Sequence, residues 1–82
     1  MNPNEILYYA EKASLEIRVG LYDQAITTAR ECIALDASNS DGYLFLGLAQ
    51  CLKGQKAEGI KNLQKAKEYG DSQADGLIEK YK

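Results

Sequence analysis

Apolar residues recur along the chain at steps of three and four, the period that places side chains on one face of an α-helix. Five stretches show this pattern, each bounded by residues that start or stop helices. Asn2-Pro3-Asn4-Glu5 forms a helix start: Asn2 can cap, Pro3 suits the first turn, and Glu5 follows the cap by three residues. The first helix runs from there to Gly20. The second covers about Tyr22 to Leu35, with Ala25, Ile26, Ala29, Cys32 and Ile33 on one face. Asp36 to Ser40 is a polar loop. Ser38-x-x-Asp41 has the form of a capping box and opens a third helix that ends at Gly54. A fourth spans about Lys56 to Tyr69 and stops at Gly70, a residue suited to a left-handed C-terminal cap. Ser72-x-x-Asp75 repeats the capping pattern and opens a last helix to the chain end.

The same signals return after 34 residues. Gly20 is matched by Gly54, Tyr9 by Tyr43, Ile26 by Ile60 and Ser38 by Ser72, while Asp41-Gly42 returns as Asp75-Gly76. Small residues face small residues: Ala13 stands opposite Gly47, Ala25 opposite Gly59 and Cys32 opposite Ala66. Two helices of a hairpin need small residues where their backbones meet, so the matches have a steric reason.

On these residues the chain resembles the tetratricopeptide repeat family. Residues 39–72 carry Tyr43-x-x-Leu46-Gly47, then Gly54 at the hairpin turn, Gly59 at the small position, Leu63 at the aromatic position and Ala66 at the final alanine. Residues 5–38 match with Tyr9, Ala13, Gly20-x-Tyr22, Ala25 and Ala34-Leu35-Asp36. The sequence departs from the family pattern at Lys12, where leucine is usual, and at Gln50 and Lys56, where tyrosine is usual. Ala29 replaces a large residue, and Ala37 and Asp71 stand where each repeat normally ends in proline. The resemblance implies an all-α fold: an α-α superhelix, or solenoid, of two helical hairpins plus a C-terminal capping helix. Residues 1–82 are then one domain, with repeat one at 5–38, repeat two at 39–72 and the capping helix at 73–82. Leu77, Ile78 and Tyr81 fit a closing helix, and Asp75, Glu79, Lys80 and Lys82 keep its outer side polar, as the end of a repeat array requires.

The third helix separates into two sides. Tyr43, Leu46, Gly47 and Gln50 share one, predicted to pack on neighbouring helices. Leu44, Phe45, Leu48, Cys51 and Leu52 fall largely on the other, and for Leu44 simple packing is the expected role. In the family the first helix of each hairpin lines a concave groove. That assigns Phe45, Leu48 and Leu52 to the groove floor, flanked by Ala10, Ser14, Ile17 and Arg18 of the first helix and by Ile78 and Glu79 of the last. The family's carboxylate clamp is not matched. Phe45 stands where asparagine is needed, and Asp75 and Glu79 where cations are needed, so this groove is unlike a binder of peptide C-termini.

Composition narrows the chemistry. No histidine is present, which removes the commonest general base and the Cys-His nucleophile pair. The carboxylates fit caps, first turns and exposed faces, and none of the seven glycines forms a phosphate loop. Cys32 and Cys51, 19 residues apart, read as packed thiols rather than a disulfide, and two cysteines without histidine do not make the usual four-ligand zinc site. Neither catalysis, a cofactor nor a metal is expected.

The net charge of −2 does not favour nucleic acid. Lys53, Lys56, Lys61, Lys65 and Lys67 cluster around the fourth helix, but Glu58 and Glu68 interrupt them and Tyr69 alone could stack a base, so a solvated face is expected. The longest apolar stretch, Gly42 to Leu52, is too short to span a bilayer, and Met1 to Glu5 lack the pattern of a secretory signal. The expectation is a cytoplasmic scaffold or adaptor module with a protein or peptide partner, apolar or amphipathic. The alternative is self-association as a homodimer.

Overall fold

A computed structural model describes residues 2–82, so Met1, the first residue of the expected domain, lies outside it. Five helices follow one another: α1 (Pro3–Arg18), α2 (Tyr22–Leu35), α3 (Ser40–Lys53), α4 (Lys56–Glu68) and α5 (Ala74–Tyr81). No strand occurs among the described residues. All four breaks lie where the sequence placed them. Gly20, Gly54 and Gly70 have φ of +85°, +98° and +102°, a region that costs other residues a Cβ clash and glycine nothing.

The caps are partly different from those the sequence suggested. The Asn2 side chain accepts from the Asn4 backbone N–H at 2.9 Å and starts α1 as expected. At α3, however, the cap is Asn39, whose Oδ1 accepts from the Gly42 N–H at 3.1 Å. The Ser38 hydroxyl instead donates to Asp36 Oδ1 in a local turn. Ser72 likewise does not cap α5. Asp71 Oδ1 accepts from the Gln73 N–H at 2.8 Å, and α5 begins one residue later. Asn and Asp side chains compete well for nearby backbone donors: Asn39 takes the cap of α3, and α5 has no side-chain cap.

Each helix packs on the next in sequence, and α3 also touches α1 and α5. The short turns make neighbours antiparallel hairpins. With α2 and α4 making no contact with each other, α1, α3 and α5 form one layer and α2 and α4 the other. The smallest principal extent of the Cα trace, 16 Å, leaves room for these two layers at the usual ~8–10 Å spacing of packed helices.

Two apolar clusters hold the layers together. The first joins Ala25, Ile26 and Ala29 of α2 to Leu46 and Ala49 of α3, with Ile17, Ile33 and Phe45 packed against it. The second joins Leu44 of α3, Leu63 and Ala66 of α4, and Ala74 of α5, with Tyr43, Leu77 and Ile78 at its edge. Leu44 thus serves packing alone, being almost fully buried. Gln50 is also buried, and its Oε1 accepts from Asn62 Nδ2 of α4 at 2.7 Å, so the polar group costs little to bury.

The two hairpins cross differently. A Cβ added at Gly47 would meet the Gly59 carbonyl oxygen at 2.6 Å and the Leu63 backbone nitrogen at 2.9 Å. Glycine at both positions is therefore required by backbone-to-backbone contact of α3 and α4. The Cys51 sulfur also lies against Gly59. Cys51 consequently belongs to the α3–α4 crossing, a correction to its expected place on the groove side. Its assignment failed because the two faces of α3 meet at its position on the helix. In the first hairpin the matching positions are Ala13 and Ala25, both fully buried.

Candidate functional site

Between α1 and α3 the layer opens into a hollow of about 190 Å³ lined by Leu7, Ala10, Glu11, Ser14, Asp41 and Phe45. Phe45 is half-buried: it rests on both apolar clusters and turns its remaining surface to this hollow. Ala10 keeps the α1 wall low, and Ser14 one turn on supplies a small hydroxyl. Glu11 and Asp41 put a carboxylate on each side. Partial burial pushes the Asp41 carboxyl above its ordinary range, and the nearby Asp71 adds to the shift.

Of the nine residues assigned to the groove from sequence, three line this hollow: Ala10, Ser14 and Phe45. Leu48 and Leu52 continue the Phe45 stripe along α3 at steps of three and seven, Leu48 half-buried and Leu52 exposed. Ile17 packs against the first cluster and Ile78 against the second, each half-buried. Arg18 is exposed in the last turn of α1, and Glu79 is exposed and paired with Lys82 Nζ at 3.2 Å.

Leu7, Glu11 and Asp41 were not assigned from sequence. The signal for them was present. Leu7 stands three residues before Ala10 and seven before Ser14, and Asp41 four before Phe45, so each shares a helical stripe with an assigned residue.

The lysines around α4 are largely engaged. Lys53 pairs with Asp23, Lys67 with Asp75 at 2.8 Å, and Lys65 lies over the Tyr43 ring, which stacks on Tyr69 at 5.4 Å between centroids. The Asp75 hydrogen bond and charge raise the Lys67 pKa. A cation held by a carboxylate on the same molecule is partly neutralised by it.

Both cysteines are free thiols. Cys32 is fully buried, and burial foremost, then Asp41 and Asp36, pushes its pKa up. Cys51 is raised by burial, an effect Lys56 partly offsets. Both shifts disfavour the thiolate that nucleophilic chemistry needs. Among the described residues no group of three or more His, Cys, Asp or Glu is placed to hold a metal ion. No helix there is long and apolar enough to cross a membrane.

The fold therefore belongs to the all-helical class built from stacked helical hairpins. The chain is similar to the small glutamine-rich tetratricopeptide repeat-containing protein 2 of Saccharomyces cerevisiae, with 30% identity over 80 residues. The match covers 96% of this chain and 23% of the yeast protein, so the chain spans about a quarter of that relative's length. No protein-family profile matches the chain.

Proposed function

We propose that this chain is a tetratricopeptide-type interaction module, with units at 5–38, 39–72 and 73–82, that binds an apolar or amphipathic segment of another protein. The carrying observation is the hollow between α1 and α3, where Phe45 is anchored beneath by two apolar clusters and open above. An aromatic ring fixed in place loses little entropy on binding and offers a large apolar area, the features of an interface hot spot. Leu48 and Leu52 extend the apolar strip, and Ile17, Arg18, Ile78 and Glu79 flank it. The likeness to a tetratricopeptide repeat-containing protein supports a protein partner.

The charges define the ligand further. Glu11 and Asp41 border the hollow, one on each side, so acidic peptides are repelled. The fitting partner is an amphipathic helix whose apolar stripe meets Phe45 and whose flanks carry lysine or arginine.

The test is fluorescence polarisation with a labelled amphipathic peptide bearing leucines at helical spacing and lysine flanks. Phe45→Ala should weaken binding by about 2 kcal/mol. A matched peptide with glutamate flanks should bind more weakly than the lysine form. Equal affinity for wild type and Phe45→Ala would refute the assignment.

A further inference from the structure

The stripe of α1 turned away from the core carries exposed apolar residues on both sides of a central Glu11–Lys12 pair. Tyr8, Leu15 and Val19 are 58%, 54% and 61% exposed, and Tyr8, Glu11, Lys12 and Leu15 line a shallow hollow of about 350 Å³. Thirty-four residues later the same stripe reads Gly42, Phe45, Leu46 and Ala49, and there it is covered by α2. The exposed stripe of α1 is thus the repeat's stacking face with nothing on it.

A helix seated on α1 as α2 is seated on α3, with a side chain as large as Ile33 at the same place, would collide with Tyr8. At Gly42 even a Cβ would come within 2.7 Å of the Ile33 side chain, and α1 carries the Tyr8 ring at the matching place. The stripe has a different complement, namely itself. In an antiparallel pair of α1 helices related by a two-fold axis between residues 11 and 12, Tyr8 of one chain meets Leu15 of the other. Glu11 then meets Lys12, Glu5 meets Arg18 and Asn4 meets Val19. All of these residues are exposed. Each contact occurs twice, apolar on apolar at Tyr8–Leu15 and acid on base at Glu5–Arg18 and Glu11–Lys12, which is the self-complementarity an isologous interface demands.

We infer that the chain forms a homodimer through the outer stripe of α1, with Tyr8 and Leu15 as its apolar contacts and Glu11–Lys12 fixing an antiparallel register. The face is separate from the Phe45 hollow except for Glu11, which borders both. One helix per chain makes a small interface, below about 1,200 Å² in total, so the dimer is weak and concentration-dependent.

Sedimentation velocity of the 82-residue chain over a concentration series, with circular dichroism to verify folding, tests this. The wild type should shift from monomer towards dimer. Glu11→Lys and Lys12→Glu, each of which sets like charges together across the axis, should raise the dissociation constant by about tenfold or more. An equimolar mixture of these two variants should associate again, because one then presents two bases at positions 11 and 12 and the other two acids. Leu15→Asp should abolish association. A wild type that stays monomeric up to about 1 mM, where any free energy of association is under about 4 kcal/mol, overturns the inference. Charge reversals without effect, or a mixture that fails to associate, overturn it equally. Phe45→Ala should leave the dimer unchanged, and Leu15→Ser, which removes an apolar dimer contact without altering charge, should leave peptide affinity unchanged, so the dimer and the peptide site fail separately.

Discussion

The two hairpins have one plan and different interiors. In the first, the buried interior is mostly alanine, Ala10 and Ala13 of α1 and Ala25 and Ala29 of α2, and its one large fully buried side chain is Cys32. In the second, α3 and α4 meet through paired glycines and bury Leu44 and Leu63. Among the described residues, five of the seven exposed large apolar side chains, Leu7, Tyr8, Leu15, Val19 and Leu21, belong to the first hairpin or its turn. The difference follows from position. Helix α3 contacts all four other helices, whereas α1 contacts only α2 and α3 and keeps its outer stripe open. Apolar area that the second hairpin converts into core remains on the first hairpin's surface, available for partners. The second hairpin holds more of the large buried side chains, and the first keeps more apolar surface exposed.

The largest effect that could break this contrast is at Leu63. Leu63→Ala leaves a void in the second cluster and should cost about 2–5 kcal/mol by denaturant unfolding. Its register mate in the first hairpin is already alanine, and Ala29→Gly should cost about 1 kcal/mol, mostly helix propensity. Similar losses at both sites would mean the hairpins contribute equally.

The crossings come next, and they should respond in different ways. Gly47→Ala drives a methyl into the Gly59 carbonyl, so overpacking of about 1–3 kcal/mol should outweigh the gain of about 1 kcal/mol in helix propensity. Ala13→Gly relieves no clash and should only lose about 0.5–1 kcal/mol. A more stable Gly47→Ala protein would show that α3 and α4 do not approach as closely as described. Smaller still is Leu15→Ser. On an exposed stripe it should change monomer stability by no more than about 0.5 kcal/mol at low concentration.

The thiols give the mildest readout. Both cysteines have raised pKa in the folded chain, so the folded state holds its thiol protons longer than the unfolded state does. Their contribution to stability is complete below the ordinary thiol range and is lost as pH rises through the raised, folded values. Stability should therefore decline at alkaline pH, and alkylation should be slow at neutral pH, with half-exposed Cys51 reacting before Cys32. Rapid alkylation of native Cys32 would contradict its burial.

Much of the fold was legible from the sequence because its cause is local. Glycines at the turns, the 34-residue register and the small residues at the crossings each act through sterics within one hairpin. The caps were harder to read, since Asn39 beside Ser38 is an equally good cap and Asp71 takes the Gln73 N–H without capping α5, outcomes that depend on how each loop lies. The hollow was legible in part. Phe45, Ala10 and Ser14 were assigned through the groove that the family resemblance implies, whereas Leu7, Glu11 and Asp41 share helical stripes with them but are joined to the hollow by the approach of α1 to α3. Cys51 was misplaced for a similar reason: a residue between two faces of α3 is assigned by how close α4 comes, and Gly59 brings α4 closest there.

The central claim is that the open hollow between the hairpins, rather than the outer face of α4, receives the partner. The most direct measurement is a two-dimensional amide NMR titration of the folded chain with the lysine-flanked amphipathic peptide. The account predicts saturable shifts centred on Ala10, Ser14, Phe45 and Leu48, absent for Lys61 and Gln64 of α4, and lost in Phe45→Ala. Shifts centred on α4, or shifts around Phe45 that persist in Phe45→Ala at the same affinity, would contradict it.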